Sequence, residues 1–346
     1  MQHELTRPGP LLTPTGELAQ VGWSRQPILE CNLEDAAFYP RWRRALQRLR
    51  IKRWDYYAVF TPGRFFSATI ADLGYAGNVF VYTVDFETAE YHEEGLVIPF
   101  ARGITLPRSS ERGDARFEGR GARVEFRVDR GARALSVEWP AFDGGRGIQA
   151  EIELSCPPAA ESMTIVIPIA GKRFYYNRKI NCMPARGRLR CGGREEALDP
   201  GRCVGSLDWG RGVWPYRSYW NWASASGFLA DGRTIGLNLG RGFGDLRAAT
   251  ENCVILGGRI HKLGDVRFDY SSDNYMHTWR FTDDAGRLDL DFAPIVDRVA
   301  ATDLKVITSQ VHQVFGRYSG RVIADDGEVI TIDGLVGFAE EHHARW

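Results

Sequence analysis

The sequence predicts an all-β protein of two antiparallel, barrel-like halves packed together, with one short helix near the start. Three observations lead to this reading. From "IKRWDYYAVF" at 51–60 almost to the end, apolar residues recur with a period of two, in runs rich in β-branched and aromatic side chains. Asp-Gly or Asp-Ala-Gly interrupts those runs in "ADGRT", "DDAGR" and "ADDGE", which is hairpin chemistry. Helix-length patterns never alternate with the strands, which disfavours a doubly wound sheet or a (β/α) barrel.

The elements follow in order. Residues 7–27 hold four prolines and "PTG", so they form an extended arm. Asn32 is placed to cap "LEDAAFYPRWRRALQRLR", acidic early and basic late as the helix dipole favours. Pro40 divides that stretch and leaves the main helix at about 41–50. Strand patterns then succeed one another: "RFFSATIADLG", "GNVFVYTVDFET", "ARVEFRVDRG", "ALSVEWPAF", "IQAEIELS" and "SMTIVIPIA". Later come "FLADGRTIGLNLG", "NCVILGGRIHKLGDVRFDY", "MHTWRFTDDAGRLDLDFAPI" and "LKVITSQVHQVFGRYSGRVIADDGEVITIDG". So many antiparallel strands must hide their edges, and closed or nearly closed up-and-down barrels do so. The Arg- and Gly-rich stretch at 184–202 is the natural divide. It gives an arm and helix at 1–52, a first barrel at 53–185 and a second at 186–346.

Composition removes several functional classes. Of 346 residues, 44% are hydrophobic and 25% charged, a globular balance with length for one large domain or two ordinary ones. The 44 basic residues equal the 44 acidic ones, so no global field recruits nucleic acid or an anionic membrane. The start of the chain has no apolar run of the secretory type, and "MTIVIPIAG" at 163–171 is too short to cross a bilayer. Six scattered cysteines without a CxxC pair read as reduced thiols, so the expected location is the cytoplasm.

Cofactor and metal motifs are missing too. The adjacent His342 and His343 fall in what reads as a C-terminal tail, and no histidine or cysteine pair has zinc spacing. "TDDAGRLDLD" lacks the ligand order of a calcium loop and reads as a hairpin turn. "GRGFG" and "GGRG" are not the glycine fingerprint of a nucleotide site, and there is no GxSxG elbow. The expectation is therefore no cofactor and no metal.

What remains is "LDWGRGVWPYRSYWNWASASG" at 207–227, with four of the ten tryptophans. Strand alternation puts Tyr219, Asn221, Ala223 and Ala225 on one face and Trp220, Trp222, Ser224 and Ser226 on the other. One face would line an apolar ligand cavity, or the tryptophans would close the barrel and pack the two halves together. A carboxylate at Asp208, enclosed by aromatics, would have its pKa raised and suit a general acid; alternatively it pairs with Arg211. Glu251 begins a later strand and His277 another, so both are further proton-transfer candidates, with His261 and Asp269 nearby in sequence. Arg211, Tyr216 and Asn221 would orient a substrate, and Trp214, Trp220, Trp222 and Trp279 would form the wall.

At these residues the chain resembles a bacterial and fungal family known only as a numbered domain of unknown function. The matching pieces are "LLTPTGELAQVGWSRQPILECN", "LRIKRWDYYAV", "DWGRGVWPYRSYWNWASASG", "TENCVILGGRIHKL" and "GLVGFAEEHHARW". More distantly it is similar to the tandem-lipocalin group of carotenoid hydratases and AttH-like proteins. That resemblance implies two lipocalin-like barrels, an isoprenoid or other lipophilic ligand, and protonation of a carbon–carbon double bond by an acid side chain. The group carries a Gly-Tyr-x-Asp-His-x-Trp-Gly type segment near the junction of the halves. The counterpart here, "GRGVWPYRSYWNWASASG", lacks the Asp-His pair. Two functions follow as expectations. One is a cofactor-free hydratase, isomerase or cyclase acting on an isoprenoid or fatty-acyl molecule. The other is a non-catalytic carrier or sensor of a hydrophobic ligand, with transient membrane contact left open.

Overall fold

The computed structural model describes residues 2–27, 29–129, 131–303 and 308–345. Two large sheets account for most of it, one of thirteen strands and one of nine, each curled into a half-barrel. The first runs from edge strand Glu90–Pro99 through Ala76–Asp85, Arg64–Asp72 and Lys52–Phe60 to Val204–Val213. It continues through Arg173–Cys191, Ile148–Ser155, Ala132–Trp139 and Ala122–Asp129 to Ala115–Gly119. The second runs from Arg259–Lys262 through Cys253–Leu256, Thr234–Arg241 and Arg217–Phe228 to Val329–Arg345. Thr308–Ile323, Leu288–Asp303, Trp279–Asp283 and Val266–Asp269 complete it. Strand pairs within both sheets are antiparallel, and "ADGRT", "DDAGR" and "ADDGE" are hairpin turns between neighbours.

The chain crosses from the first sheet to the second between Val213 and Arg217, so the tryptophan-rich motif straddles the crossing. Position 185/186, where sequence composition suggests a divide, lies inside the 19-residue strand Arg173–Cys191. That strand is long because it has two jobs. Its first part pairs with Met163–Ile169 and Val204–Val213, and its last part with Ile148–Ser155 and Arg194–Leu198. Between Ile180 and Met183 the register slips at a bulge, with Cys182 at φ 61°. A bulge re-aims side chains. Here Asn181 points at the second sheet, with its amide nitrogen in hydrogen-bond reach of Ser224 Oγ (3.1 Å), Ser226 Oγ (3.2 Å) and the carbonyls of Ala225 and Leu237. Gly236 makes the approach possible, because a Cβ there would sit 2.8 Å from Cys182 Sγ.

Each sheet buries its own inner face: Tyr57, Val124, Phe126 and Trp209 in the first, Leu237, Trp279, Phe281 and Tyr318 in the second. Two further apolar clusters lie where the sheets meet. One joins Tyr56, Phe65 and Tyr82 to Phe315 and Phe338, with Phe65 and Phe315 at 4.7 Å between ring centroids. The other joins Tyr175 and Trp214 to Ala249, Cys253 and Ile255. Aromatic pairs of this kind add about 1 kcal/mol each beyond the area they bury.

The N-terminal region departs from the reading of a capped α-helix. Arg41–Arg50 is a 3-10 helix that follows Pro40, and Asn32 makes no capping bond to the short helix Leu33–Asp35. Its side chain instead accepts from Leu12 N at 3.0 Å and donates to Leu12 O, tying down the arm. The physical reason is the missing apolar stripe: Trp42 and Leu46 are 81% and 49% exposed, so tertiary packing does not support an α-helix here. Residues 342 and 343 are not a tail either, since Val329–Arg345 is an inner strand of the second sheet.

Candidate functional site

Strand alternation decides what each residue of the motif faces. Trp209, Arg211 and Val213 point into the first sheet, whereas Asp208 points outward to the second. Asp208 and Arg211 are therefore on opposite faces and do not pair. Arg211 donates to Asp55 Oδ1 at 2.7 Å and lies 3.6 Å over the Trp209 ring, fully inside the first sheet. Asp208 faces its cross-strand partner Lys179, whose Nζ is 2.9 Å from Asp208 Oδ2. Asn177, two residues before Lys179 on the same face, donates to Asp208 Oδ1 at 2.5 Å.

The second sheet completes this cluster. Lys179 Nζ is 3.8 Å from Glu251 Oε2 and 3.7 Å from the centroid of Trp222. Asn238 holds both of those neighbours, accepting from Trp222 Nε1 and donating to the Glu251 carbonyl, each at 2.9 Å. Gly240 leaves the space that the Glu251 carboxylate fills: a Cβ there would be 2.2 Å from Oε1. Glu251 Oε2 is buried and has no hydrogen-bond partner among the described residues. Glu340, from the strand next to Trp220 and Trp222, accepts from Trp220 Nε1 at 2.9 Å and from Gln313 Nε2 at 3.1 Å. Behind Glu340 a directed chain runs back to the first sheet. Tyr82 donates to Gln313 Oε1 at 2.8 Å and shares a 2.9 Å contact with Tyr56. Arg298, paired with Glu93, donates to the same Gln313 oxygen at 3.1 Å.

Burial sets the proton affinities. It pushes the Glu340 carboxyl up to about 7, against the lowering effects of Trp220, Lys179 and Arg298. Burial also raises Glu251, as does the nearby Asp208, while Lys179 opposes. Asp208, Glu251 and Glu340 thus share one site with a single lysine. Glu340, pushed up to about 7, can therefore hold a proton near neutrality beside an aromatic wall of Trp220, Trp222, Tyr56 and Phe338.

Of the residues singled out from sequence, Asp208, Glu251, Trp220 and Trp222 converge here. Trp214 packs close by, between Trp54, Tyr175 and Phe243. Others lie elsewhere. His277 is exposed in the loop before Trp279, so it does not face the cluster. Tyr216 is 44% exposed at the crossing between sheets. Asn221 and Trp279 belong to the inner face of the second sheet, where Asn221 donates to Tyr270 and Tyr270 stacks on Trp279 at 4.0 Å. Sequence reading missed Lys179, Glu340, Asn177 and Gln313. Lys179, one of five lysines, had a usable signal: it alternates with Tyr175 and Asn177 in a strand pattern.

Two clefts lie away from the cluster. One, of about 320 Å³, is lined by residues that include Arg64, Asp85, Arg194 and Arg202; the other, of about 430 Å³, by Arg217, Tyr219, His343 and Arg345 among others.

Fold and site together define a protein of two antiparallel half-barrels with a buried cluster of carboxylates and one lysine between them. The chain belongs to the family described as a domain of unknown function, DUF2804, which matches residues 2–346. No curated protein sequence matches it. Solved structures similar to it include kievitone hydratase from Nectria haematococca, at 13% identity and a TM-score of 0.47 over 85% of this chain and 88% of that one. An AttH-like protein from Nitrosomonas europaea has 13% identity and a TM-score of 0.48 over 86% and 92%. CghA, solved with Sch210972, has 10% identity and a TM-score of 0.47 over 85% and 88%. Among the described residues no helix is long and apolar enough to cross a membrane.

Proposed function

We propose that the inter-sheet cluster is a cofactor-free acid–base site that protonates a lipophilic, unsaturated substrate, as in hydration, isomerisation or cyclisation. The observation that carries this reading is the pair of buried carboxyls around one ammonium. Glu340 titrates at about 7, and Glu251 presents an oxygen without a hydrogen bond 3.8 Å from Lys179. Glu340 and Glu251 are the proton donors in this scheme. Asp208 already accepts from Asn177 and Lys179 at both oxygens, so it positions the lysine instead of delivering a proton. The face of Trp222, over which the Lys179 ammonium now lies, and the Tyr56 ring packed edge-on to it would stabilise a cationic carbon left by protonation. Isoprenoid and unsaturated fatty-acyl molecules meet these demands, having a double bond and no charge to desolvate near it.

The test uses lipid extract of the native host incubated with the protein in deuterated water. Mass spectrometry should find a component that gains carbon-bound deuterium, alone or with the oxygen of an added D2O, and both Glu340→Gln and Glu251→Gln should slow that gain by about 100-fold or more. Binding of a component without any mass change, equally in wild type and variants, would replace catalysis with carriage.

A further inference from the structure

The inner face of the first sheet holds a second ionic group that the acid–base site does not use. Arg178 and Lys179 are neighbours on one strand, but Arg178 points inward, where it shares the 107–111 loop with Arg133 and Arg211. The three guanidinium-bearing residues are 6%, 3% and 1% exposed, and the one buried carboxylate among them, Asp55, is taken by Arg211. Arginine stays charged when buried, so three of them beside one buried acid and one exposed acid, Glu111, are short of negative partners.

The loop at 107–111 supplies the substitute. Arg133 Nη2 donates to Ser110 O at 2.6 Å, and Arg178 Nη1 donates to the same carbonyl at 3.3 Å and to Ser110 Oγ at 3.2 Å. Arg211 Nη2 donates to Pro107 O at 3.1 Å. Arg178 also pairs with the Glu111 carboxylate, whose side chain is 56% exposed. Arg133 itself has no carboxylate partner among the described residues: its other partner is Tyr57 OH at 3.1 Å, and its buried Nε has none. A backbone carbonyl, a hydroxyl and a borrowed carboxylate thus occupy the place where two guanidinium groups converge. Carboxylate and phosphate match that fork better than a lone carbonyl does.

We propose that Arg133 and Arg178, with Tyr57, form a binding site for the oxyanion group of a small ligand, and that the 107–111 loop fills it when the ligand is absent. The ligand enters by displacing Ser110 and Glu111 from the two arginines. The site is separate from the inter-sheet cluster and stands whether or not that cluster is catalytic. Inorganic phosphate and octanoate are the probes, one a free phosphate and the other a carboxylate with an apolar tail. Each is titrated calorimetrically into the full chain at ionic strength held constant with chloride.

Glu111→Ala is the variant of choice, because the side chain is exposed and its loss removes the internal competitor. The expected result is saturable binding of at least one probe, roughly fivefold tighter in Glu111→Ala, with faster hydrogen exchange at 107–111 in the bound state. Binding of phosphate alone assigns the site to phosphorylated ligands, and binding of octanoate alone to fatty carboxylates. The proposal fails if neither probe saturates the variant. It fails equally if binding leaves exchange at 107–111 unchanged or has the same affinity in both proteins.

Discussion

Glu340→Gln tests the electrostatics of the inter-sheet site without needing a substrate. Folding lifts the Glu340 carboxyl from 4.5 to about 7, chiefly by burial. Between those values the folded chain holds a proton that the unfolded chain has released, so stability falls as pH rises through this window. At about 1.4 kcal/mol per pH unit, the wild type loses about 3 kcal/mol between pH 4.5 and pH 7 from this group. Glutamine is neutral at every pH and avoids that loss. It keeps an acceptor for Trp220 Nε1 but turns an NH2 toward Gln313 Nε2. Gln313 cannot flip to accommodate it, because its oxygen already accepts from Tyr82 and Arg298. One lost hydrogen bond costs about 1 kcal/mol. The variant should therefore be about 1 kcal/mol less stable than wild type at pH 4.5 and about 2 kcal/mol more stable at pH 8. Urea unfolding followed by tryptophan fluorescence, repeated from pH 4.5 to 8.5, measures the difference. A difference that stays constant over that range would refute a raised Glu340 and with it the proton donor.

Three further outcomes are expected. Lys179→Met leaves Asp208 buried without its ammonium and should cost about 3–5 kcal/mol, most of it recovered in the Lys179→Met/Asp208→Asn double variant, as read by a denaturation cycle. Gly240→Ala places a Cβ 2.2 Å from Glu251 Oε1 and should cost about 1–3 kcal/mol in urea melts, while shifting the infrared carboxyl band assigned by Glu251→Gln. His342, packed 4.0 Å from the Trp220 ring centroid, has its pKa pushed down to about 3 by burial, so the folded chain keeps it neutral while the unfolded chain takes up a proton below about 6.5. Its contribution is present above pH 6.5 and lost as pH falls. His342→Gln should flatten the acid limb by up to about 2 kcal/mol at pH 5, measured as the difference in urea stability.

The all-β character, the hairpin turns and the alternation of the tryptophan motif are local properties, set by side-chain period and turn chemistry, and they were legible in the sequence. Alternation alone put Trp220 and Trp222 on one face and Asn221 on the other, as the structure has them. The same rule, applied three residues apart, also separates Asp208 from Arg211. Their nearness in sequence masked it.

The charge partners were beyond the sequence. Asp208 meets Lys179 because strands 29 positions apart are held in one register by a bulged 19-residue strand. Glu340 reaches the same site from the far end of the chain because Val329–Arg345 pairs with Arg217–Phe228. By itself the sequence determined which residues each strand shows to either side. Only the tertiary structure decided which of those faces meet, because a buried charge takes its partner from whatever strand packs opposite, however distant in the chain.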